Sequence, residues 1–479
     1  MRGRIEQSFM QLYNTLTRTI EKFVPLHPPK VGMYTCGQTV YDFTHIGHGR
    51  KYTNDDLLRR TLSWFGYEVT HVQNVTDVGH LVSDADEGED KLEKGAKRTG
   101  KTVWEVAEFY TKHFYDSLDK LNVLRPTIIC KATEHIPEQI ALIKTLIEKG
   151  FAYDTQEAVY FEISKFPSYD NLFGQNREDK RTVRPEVQKG EHKKHPEDFA
   201  LWFKRVGRFK DHTMHWESPW GDGFPGWHIE CSAMSMKYLG PTIDIHTGGE
   251  DHIPVHHPNE IAQSEAATGK PFVRFWIHHA FLMVDGRKMS KSLNNFYRVE
   301  DVEKKGFEPL ALRYLYLTTH YRKQLNFTWE SLEAAASGLK NLRELADAAL
   351  SETSSDSSRT ALSEEKTNKI QLFADRFRTA LEQDFQTPEA LSIAWEVAKS
   401  NIPSGDKVEL LNKFDQVLGL SLFEHFQIPV EIQRLVDERE KARQMKNWDK
   451  ADQLRKTIEE KQWITKDLMS GATIVQPKR

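Results

Sequence analysis

Cysteine is scarce in this chain of 479 residues, which contains only 3. So few thiols cannot build a disulfide framework, which favours a reducing compartment, and we expect a cytoplasmic location. No apolar run is long enough to span a bilayer, so no membrane partner is expected. The sequence also lacks a GxxxxGK[ST] stretch, so a nucleotide would have to be held without a P-loop.

An excess of positive charge is missing as well. The chain has 66 Lys+Arg against 70 Asp+Glu, a net charge of −4, which gives no global sign of nucleic-acid binding. The balance changes near the end, where residues 432–479 hold 12 Lys+Arg against 8 Asp+Glu, a local +4. This mild positive region could admit a polyanion.

A strand–helix–strand unit is indicated early in the chain. Residues 31–35 form a short apolar run, leucines then recur at helical spacing, and Gly66 precedes the strand-like stretch 68–75. Such a unit implies a parallel sheet with its ligand site at the carboxyl ends of the strands. Cys36 and the HIGH sequence at 45–48 fall at that edge.

The expected fold class is α/β, with a Rossmann-like parallel-sheet catalytic domain split by an α/β insertion and followed by a helical C-terminal region. Within the insertion, VYFEISKF (159–166) alternates like a strand, and the serine-rich stretch 351–360 is expected to be a linker. The expected domains are residues 1–125 with 216–300 (catalytic), 126–215 (insertion), 301–365 (connecting region and linker) and 366–479 (helical region).

Four potential metal ligands stand far apart in the sequence. His256 and Glu260 are four residues apart on a predicted helix and share one face, whereas His257 is expected to point elsewhere. With Cys36 and Cys231 they would give two sulfurs, one nitrogen and one oxygen, a set that suits Zn2+. Spacing alone leaves open the simpler alternative that both cysteines are packing residues. The third cysteine, in PTIIC (126–130), is expected in a buried strand.

A basic loop lies at MVDGRKMSKSLNN (283–295). Lys288 and Lys291 stand between small and polar residues, as in a loop that closes over a polyphosphate and stabilises charge on a leaving group. Taken alone, the loop is better explained as a solvated basic turn.

HIGH and KMSKS (288–292) resemble the paired signatures of class I aminoacyl-tRNA synthetases. The chain closely resembles the cysteinyl-tRNA synthetase family of that class, in the same order along residues 11–467. The resemblance is carried by five stretches: YTCGQTVYDFTHIGHGR (34–50), NVTDVG (74–79), GWHIECSA (226–233), HHPNEIAQS (256–264) and MVDGRKMSKSLNN.

This resemblance implies an ATP-dependent enzyme that forms cysteinyl-adenylate from L-cysteine and transfers cysteine to tRNA(Cys). It implies one Zn2+ that distinguishes cysteine from serine, Mg2+ with ATP, and the following residue roles. The metal ligands are Cys36, Cys231, His256 and Glu260; the catalytic residues are His45, His48, Lys288 and Lys291; ATP is also bound by Gly47, Gly248, Gly249 and Asp251; and the amino-acid pocket contains Gly37, Thr76 and Trp227.

For the helical region, the resemblance implies contact with the tRNA stem before residue 365 and with the anticodon after it. Charge and stacking make four residues candidates for RNA contact: Arg439, Arg443, Trp448 and Arg455. A surface helix that pairs its own charges explains any one of them equally well. We expect the chain to act as a monomer.

Some positions depart from the family pattern. Thr247 replaces a usual glycine, Pro258 replaces a usual glutamate, and an aromatic residue usual near the C-terminus is missing. Two alternatives remain: a ligase that passes cysteine to an amino sugar, which would lack the helical region, and a non-catalytic RNA-binding relative, which would lack signature residues.

Overall fold

The computed structural model describes residues 10–79, 90–174, 192–290, 293, 295–355, 363–423, 429–445, 447–467 and 473–477. The chain forms two compact units, the first comprising residues 1–337 and 378–391 and the second residues 338–377 and 392–479. None of the helices in the described ranges has the length and apolar character needed to cross a membrane.

The strands of the first unit are β1 (Gln11–Asn14), β2 (Thr19–Lys22), β3 (Lys30–Thr35), β4 (Glu68–Val75), β5 (Ile128–Lys131), β6 (Ala152–Asp154), β7 (Ala158–Phe161), β8 (Phe199–Lys204), β9 (Gly223–Pro225), β10 (Ile243–Gly249), β11 (Val273–His279), β12 (Leu282–Val284), β13 (Arg287–Lys288) and β14 (Leu325–Phe327). Its core is a parallel sheet of order β11-β10-β3-β4-β5, which confirms the expected α/β architecture.

The helices that begin in the first unit are α1 (Ile46–Trp64), α2 (Lys91–Thr99), α3 (Val103–Lys120), α4 (Ile136–Glu148), α5 (Trp227–Leu239), α6 (His256–Thr268), α7 (Val299–Lys304), α8 (Leu310–Leu317) and α9 (Trp329–Ser355). The central strands of the core sheet are buried, as in parallel sheets covered by helices, and they combine apolar side chains with buried polar ones such as His71, Gln73 and His246. The predicted strands 31–35 and 68–75 match β3 and β4, and the helix between them is α1.

The insertion differs from the expectation at two places. Residues 128–131, which we placed in the insertion, form the edge strand β5 of the core sheet and contain the buried Cys130. The insertion has its own antiparallel sheet, β6-β7-β8-β9. The strand expected over 159–166 ends at Phe161, because the N–H of Ile163 bonds to the carboxylate of Asp198 (3.0 Å) and a short 3-10 turn follows.

The remaining elements, part of the second unit or running into it, are α10 (Glu364–Glu382), α11 (Thr387–Lys399), α12 (Ser404–Leu418), α13 (Val430–Gln444), α14 (Trp448–Glu460), β15 (Trp463–Asp467) and β16 (Thr473–Pro477). Inside the second unit, Phe377 stacks on Phe414 with ring centroids 3.7 Å apart. The expected linker at 351–360 is helical through Ser355, and residues 356–362 lie outside the described part of the chain.

Candidate active site

The site lies at the carboxyl edge of the core sheet, where β3 stands between β10 and β4. The chain proceeds from β3 to β4 on one side, and β10 joins from a distant part of the sequence on the other. Thr35 pairs with Thr247 on β10 and with Gln73 on β4, so the residues after all three strands meet at one edge. Such a switch point is where open α/β sheets bind ligands.

The four expected metal ligands converge at this edge, with their ligand atoms all within 4.8 Å of one another. The two thiol sulfurs of Cys36 and Cys231 are 3.7 Å apart, and Nε2 of His256 is 3.0 Å from Oε1 of Glu260. A tetrahedral zinc site with ordinary bond lengths has sulfur–sulfur edges of about 3.8 Å and nitrogen–oxygen edges of about 3.3 Å. The donor set therefore fits a tetrahedral metal ion.

These ligands come from three elements. Cys36 follows β3, Cys231 lies in α5, and His256 and Glu260 occupy one face of α6 one turn apart. All four are buried, and the cysteines are free thiols. The arrangement can hold a metal ion, and the i,i+4 spacing on α6 predicted its helical half.

His257 contradicts the expectation that it points elsewhere. Its Nε2 lies 3.6 Å from the sulfur of Cys36 and 3.8 Å from Glu260, because the i,i+3 position of a helix shares a face with its neighbour as the i,i+4 position does. His246, in the middle of β10, places Nε2 2.8 Å from the other oxygen of Glu260. Cys36, His246, His257 and Glu260 thus form a second set of donors around the same carboxylate.

The charges of the cluster suit a cation. Burial alone would raise the pKa of Glu260, but the neighbouring His246 and His256 outweigh it and bring the pKa to about 2. Burial also raises the pKa of Cys231, yet its hydrogen bonds with Cys36 and His256 bring the value to about 7. Burial raises the pKa of Cys36, whereas at His256 burial is outweighed by the Glu260 carboxylate, which raises the pKa to about 10. Glu260 is therefore anionic at neutral pH, and a metal ion would displace protons from the thiols and from His256 on binding.

The HIGH histidines form the amino end of α1. His45 caps the helix, and its Nδ1 accepts the backbone N–H of His48 at 3.2 Å. Burial lowers the pKa of His45 to about 4, so the neutral ring carries its proton on Nε2. The ring of His48 stacks on it with centroids 3.6 Å apart, and burial lowers its pKa also. Gly47 lies against the His45 ring.

The turn after β10 holds the expected ribose-binding residues. Gly248 is buried, and a Cβ there would lie 2.4 Å from the His257 ring, so the position has no room for a side chain. Gly249 ends the strand, and Asp251 follows in a short 3-10 turn with its side chain 56% exposed. An exposed carboxylate at a strand end can accept hydroxyl hydrogen bonds from a ligand.

The three residues expected in the amino-acid pocket lie just after β3, just after β4 and at the start of α5. A Cβ on Gly37 would lie 1.6 Å from the backbone oxygen of Asn74, so only glycine permits this approach of the two strand ends. Thr76 is buried, and its hydroxyl accepts from the Asn74 amide at 3.0 Å. Trp227 begins α5 with its ring centroid 4.5 Å from that of His256. Gly37 thus adjoins the ligand Cys36 in the chain and Trp227 contacts the ligand His256, whereas Thr76 is held against Asn74.

The basic loop is described only in part. Lys288 is exposed in β13, with its Nζ 5.0 Å above the Phe281 ring, whereas Lys291 lies outside the described residues. Asn295, which sequence reasoning missed, accepts the backbone N–H of Ser290 at 2.7 Å and donates to the Lys288 carbonyl. An asparagine just after a basic loop is only a weak sequence signal that its side chain will bond back to the backbone of that loop.

A buried ion-pair chain beside Cys36 was also missed. Lys51, one turn beyond His48, donates to the Cys36 carbonyl at 2.8 Å and pairs with Asp55 at 3.0 Å. Asp55 in turn lies 2.8 Å from Nε2 of His279 at the end of β11. The i,i+4 spacing of Lys51 and Asp55 signals their pairing, but only the fold shows that the ammonium reaches Cys36.

The expected RNA contacts differ in exposure. Arg439 is 3% exposed, so its side chain is inside the α13–α14 hairpin and is withdrawn as an RNA contact. Trp448 is 59% exposed at the first position of α14, and Arg455 is exposed and pairs with Glu459. Arg443 is half-buried near the end of α13.

Comparisons with known proteins agree with this geometry. The family model described as "tRNA synthetases class I (C) catalytic domain" matches residues 22–337. Mycobacterium tuberculosis methionyl-tRNA synthetase in complex with methionyl-adenylate shares the fold, with a TM-score of 0.57 at 16% identity over 82% of this chain and 90% of that one. Agrobacterium radiobacter LeuRS, in its complex with tRNA and LeuAMS, gives 0.60 at 13% identity over 83% and 84%. Fold and catalytic domain together define a class I aminoacyl-tRNA synthetase.

The relatives with curated names are more specific. A "Cysteine--tRNA ligase" of Treponema denticola is 46% identical over 471 residues, covering 93% of this chain and 95% of the relative. "Cysteine--tRNA ligase 1" of Burkholderia lata is 45% identical over 467 residues, covering 96% of each. The chain belongs to the cysteine–tRNA ligase family, also called cysteinyl-tRNA synthetases.

Proposed function

We propose that this chain activates L-cysteine with ATP, releases pyrophosphate, and transfers the cysteinyl group to the 3′-terminal ribose of tRNA(Cys). The observation that carries the proposal is the convergence of Cys36, Cys231, His256 and Glu260 beside the HIGH histidines. A site for a thiol-binding metal thus adjoins a site for a nucleotide. We further propose that the metal is one Zn2+ per chain and that Mg2+ accompanies the ATP.

Selection of cysteine over serine is the task of the metal-ligand cluster. The two amino acids differ by one atom, and an apolar pocket separates such isosteres poorly. A bound zinc ion would supply a soft Lewis acid, which a thiolate binds far better than a neutral hydroxyl. The chain's own residues are proposed to complete the selection: Gly37, held close to the Asn74 backbone, would offer backbone contact to the substrate, while Thr76 and Trp227 would limit the pocket.

Activation needs no enzyme nucleophile, because the carboxylate of cysteine attacks the α-phosphorus of ATP and pyrophosphate departs. The Nε2–H of His45 is free of the capping bond and is proposed to donate to the α-phosphate, with His48 beside it. Lys288 and Lys291 are proposed to stabilise the departing pyrophosphate. Asp251 is proposed to accept a hydrogen bond from a ribose hydroxyl, with Gly248 and Gly249 also contacting the nucleotide.

The second step is transfer to tRNA. A hydroxyl of the terminal ribose, the 2′-hydroxyl first as in class I enzymes, attacks the cysteinyl carbonyl and AMP leaves. We propose that residues 301–365 contact the tRNA stem and residues 366–479 the anticodon region. Arg443, Trp448 and Arg455 remain candidates for that contact. We also propose a cytoplasmic location, because the three free cysteines suit a reducing compartment. We propose further that the chain acts as a monomer.

Cysteine-dependent exchange of labelled pyrophosphate into ATP tests the proposal. The chain with its metal should catalyse exchange with cysteine, whereas serine at the same concentration should support at most about one-hundredth of that rate. Absence of exchange in fully metallated protein would overturn the proposed function and favour a binding-only role.

A further inference from the structure

A groove with a volume of about 430 Å3 lies beside the amino end of α1. Its lining includes Asp42 and Phe43 from the segment before HIGH, together with residues of α2, α3 and the turn between them. Phe43 precedes His45 by two residues, so their Cα atoms are at most about 7.6 Å apart. The groove therefore adjoins the proposed α-phosphate site but uses none of its residues.

Aromatic rings form one wall of the groove. Phe109 is 45% exposed, and its ring meets that of Phe43 edge to face with centroids 6.1 Å apart. Leaving a large apolar face in water costs about 25 cal/mol per Å2, so the exposed Phe109 ring favours a surface that meets a flat partner.

Cationic side chains form the other wall. Arg98 and Lys101 are exposed at the end of α2 and in the following turn. The Lys101 ammonium stands 4.6 Å above the Phe109 ring, and Arg98 donates to the Tyr110 hydroxyl at 3.0 Å. The single acidic residue of the lining, Asp42, lies 4.0 Å from Arg98. Exposed rings with cations beside them are the features that bind single-stranded nucleic acid.

We propose that this groove binds the unpaired nucleotides at the 3′ end of the tRNA, immediately before the terminal ribose that accepts cysteine. A base stacks on the Phe109 ring in place of the Lys101 ammonium, which moves off the ring to pair with the adjoining phosphate. The position of Phe43 beside His45 places this strand within one or two nucleotides of the reacting centre. The inference rests on the proposed function, and it assigns to the catalytic unit a contact with the accepting strand.

The test compares intact tRNA(Cys) with the same tRNA lacking its last four nucleotides. Phe109→Leu removes the π face but keeps apolar volume, and Lys101→Glu reverses the charge. Each variant should raise the KM for intact tRNA in cysteine transfer about tenfold, because stacking and phosphate contact are lost. The inhibition constant of the shortened tRNA should stay within twofold of that of the unsubstituted chain. Phe109→Trp, which keeps an aromatic face at this position, should leave the KM for intact tRNA close to that of the unsubstituted chain.

The matched control is Lys112→Glu, since Lys112 is 77% exposed on the same helix but does not line the groove. It should leave the KM for intact tRNA within twofold. An unchanged KM in both groove variants, or a KM and an inhibition constant that rise together, would overturn the inference. Pyrophosphate exchange is measured in parallel. Its absence from the unsubstituted chain would refute the proposed function, whereas normal exchange together with an unchanged KM for tRNA in both groove variants would refute only the role assigned to the groove.

Discussion

At the scale of single residues, Cys36 and Cys231 bring two sulfurs to one buried point. Their separation of 3.7 Å is far longer than a disulfide bond of about 2.05 Å and close to the edge of a tetrahedral thiolate site. A bound cation would stabilise this pair of thiols and the carboxylate between two imidazoles, because burying anionic donors without a cation is costly. This geometry is the basis of the proposed metal site.

Replacing Cys231 by serine should remove one sulfur donor and most of the metal. We expect the metal content of the purified variant to fall from about one ion per chain to less than about a tenth of an ion per chain. Selectivity for cysteine over serine should be lost with the metal. Cys130→Ser is the matched control, because Cys130 is equally buried but its sulfur contacts the Gln73 carbonyl, which a serine hydroxyl can also bond. Elemental analysis of both variants checks this, and unchanged metal in the Cys231 variant would contradict the ligand assignment.

His71 should make the catalytic unit sensitive to acid. Burial lowers the pKa of His71 from 6.5 to about 4, while Nε2 stays bonded to the Thr35 hydroxyl at 2.9 Å. The unfolded chain therefore binds a proton between pH 6.5 and 4 that the folded chain excludes, so stability falls as the pH falls through this window. The loss from this residue amounts to about 3 kcal/mol.

The variant His71→Gln should weaken that dependence. Its denaturant midpoint should fall less between pH 6.5 and 4.5 than the midpoint of the unsubstituted chain, since one titrating group is gone. Parallel curves for the two proteins, measured by fluorescence, would show that His71 is not held neutral.

At the scale of elements, α1 is tied to the strand that leads into the basic loop. The Arg50 guanidinium is 1% exposed and donates to four backbone carbonyls, among them Ala280 at 2.7 Å and Phe281 at 2.9 Å. The other two belong to His320 and Lys323. A rigid fork of five donors suits four convergent carbonyls, whereas a lysine ammonium has three donors at one point.

Arg50→Lys should therefore leave buried carbonyls without a hydrogen-bond donor, and each should lower the free energy of unfolding by about 1–3 kcal/mol. We expect a fall of several degrees in the melting temperature and at least a tenfold lower rate of pyrophosphate exchange. Arg59→Lys serves as the control, because Arg59 lies on the same helix and makes an exposed bond to the Arg125 carbonyl. Equal effects of the two variants in calorimetry and exchange would refute the linking role of Arg50.

Elements with strong patterns could be predicted from the sequence, and elements decided by distant contacts could not. The stretch 68–75 is rich in β-branched residues and follows the helix stop at Gly66, and it is β4 as predicted. Residues 159–166 alternate like a strand, yet the strand ends early because Asp198, from another part of the chain, accepts the Ile163 N–H. β5 was assigned to the insertion because no local signal shows which sheet an edge strand joins.

The residues of the site likewise divide into those that a local sequence pattern predicts and those that depend on distant contacts. His256 and Glu260 were paired by helical spacing, but nothing local brings Cys36 to Cys231 across 195 residues; that required the resemblance to a family. Lys51, Asp55 and His279 were missed because their meeting depends on the order of β3, β10 and β11 in the sheet. Arg439 was misjudged because helical periodicity in a charged hairpin does not reveal which arginine faces inward.

At the scale of the whole molecule, we expect the two compact units to divide the work, with activation in the first and recognition of the tRNA body in the second. The segment 378–391 belongs to the first unit, where Asp384 accepts the Tyr13 N–H at 2.9 Å and the Tyr321 hydroxyl at 2.7 Å. The α13–α14 hairpin has a small core of its own, formed by Ile432, Val436 and Ile458. A cut before this hairpin leaves the first unit complete, whereas a cut at residue 337 does not.

Deleting residues 429–479 should therefore leave cysteine-dependent pyrophosphate exchange within about threefold of that of the full chain. Charging of tRNA(Cys) at low tRNA concentration should fall at least a hundredfold, since the proposed anticodon contacts are gone. A comparison of exchange and charging in the two proteins checks this. Loss of exchange, or charging that persists at the same KM, would contradict the division of roles.

The central claim is that a zinc ion held by two cysteines, a histidine and a glutamate recognises the thiol of the substrate. X-ray absorption at the zinc edge tests it most directly. The purified chain should show two sulfur neighbours at about 2.3 Å, three after addition of cysteine, and two after addition of serine. A sulfur count that does not change with cysteine, or zinc without sulfur neighbours, would contradict the account.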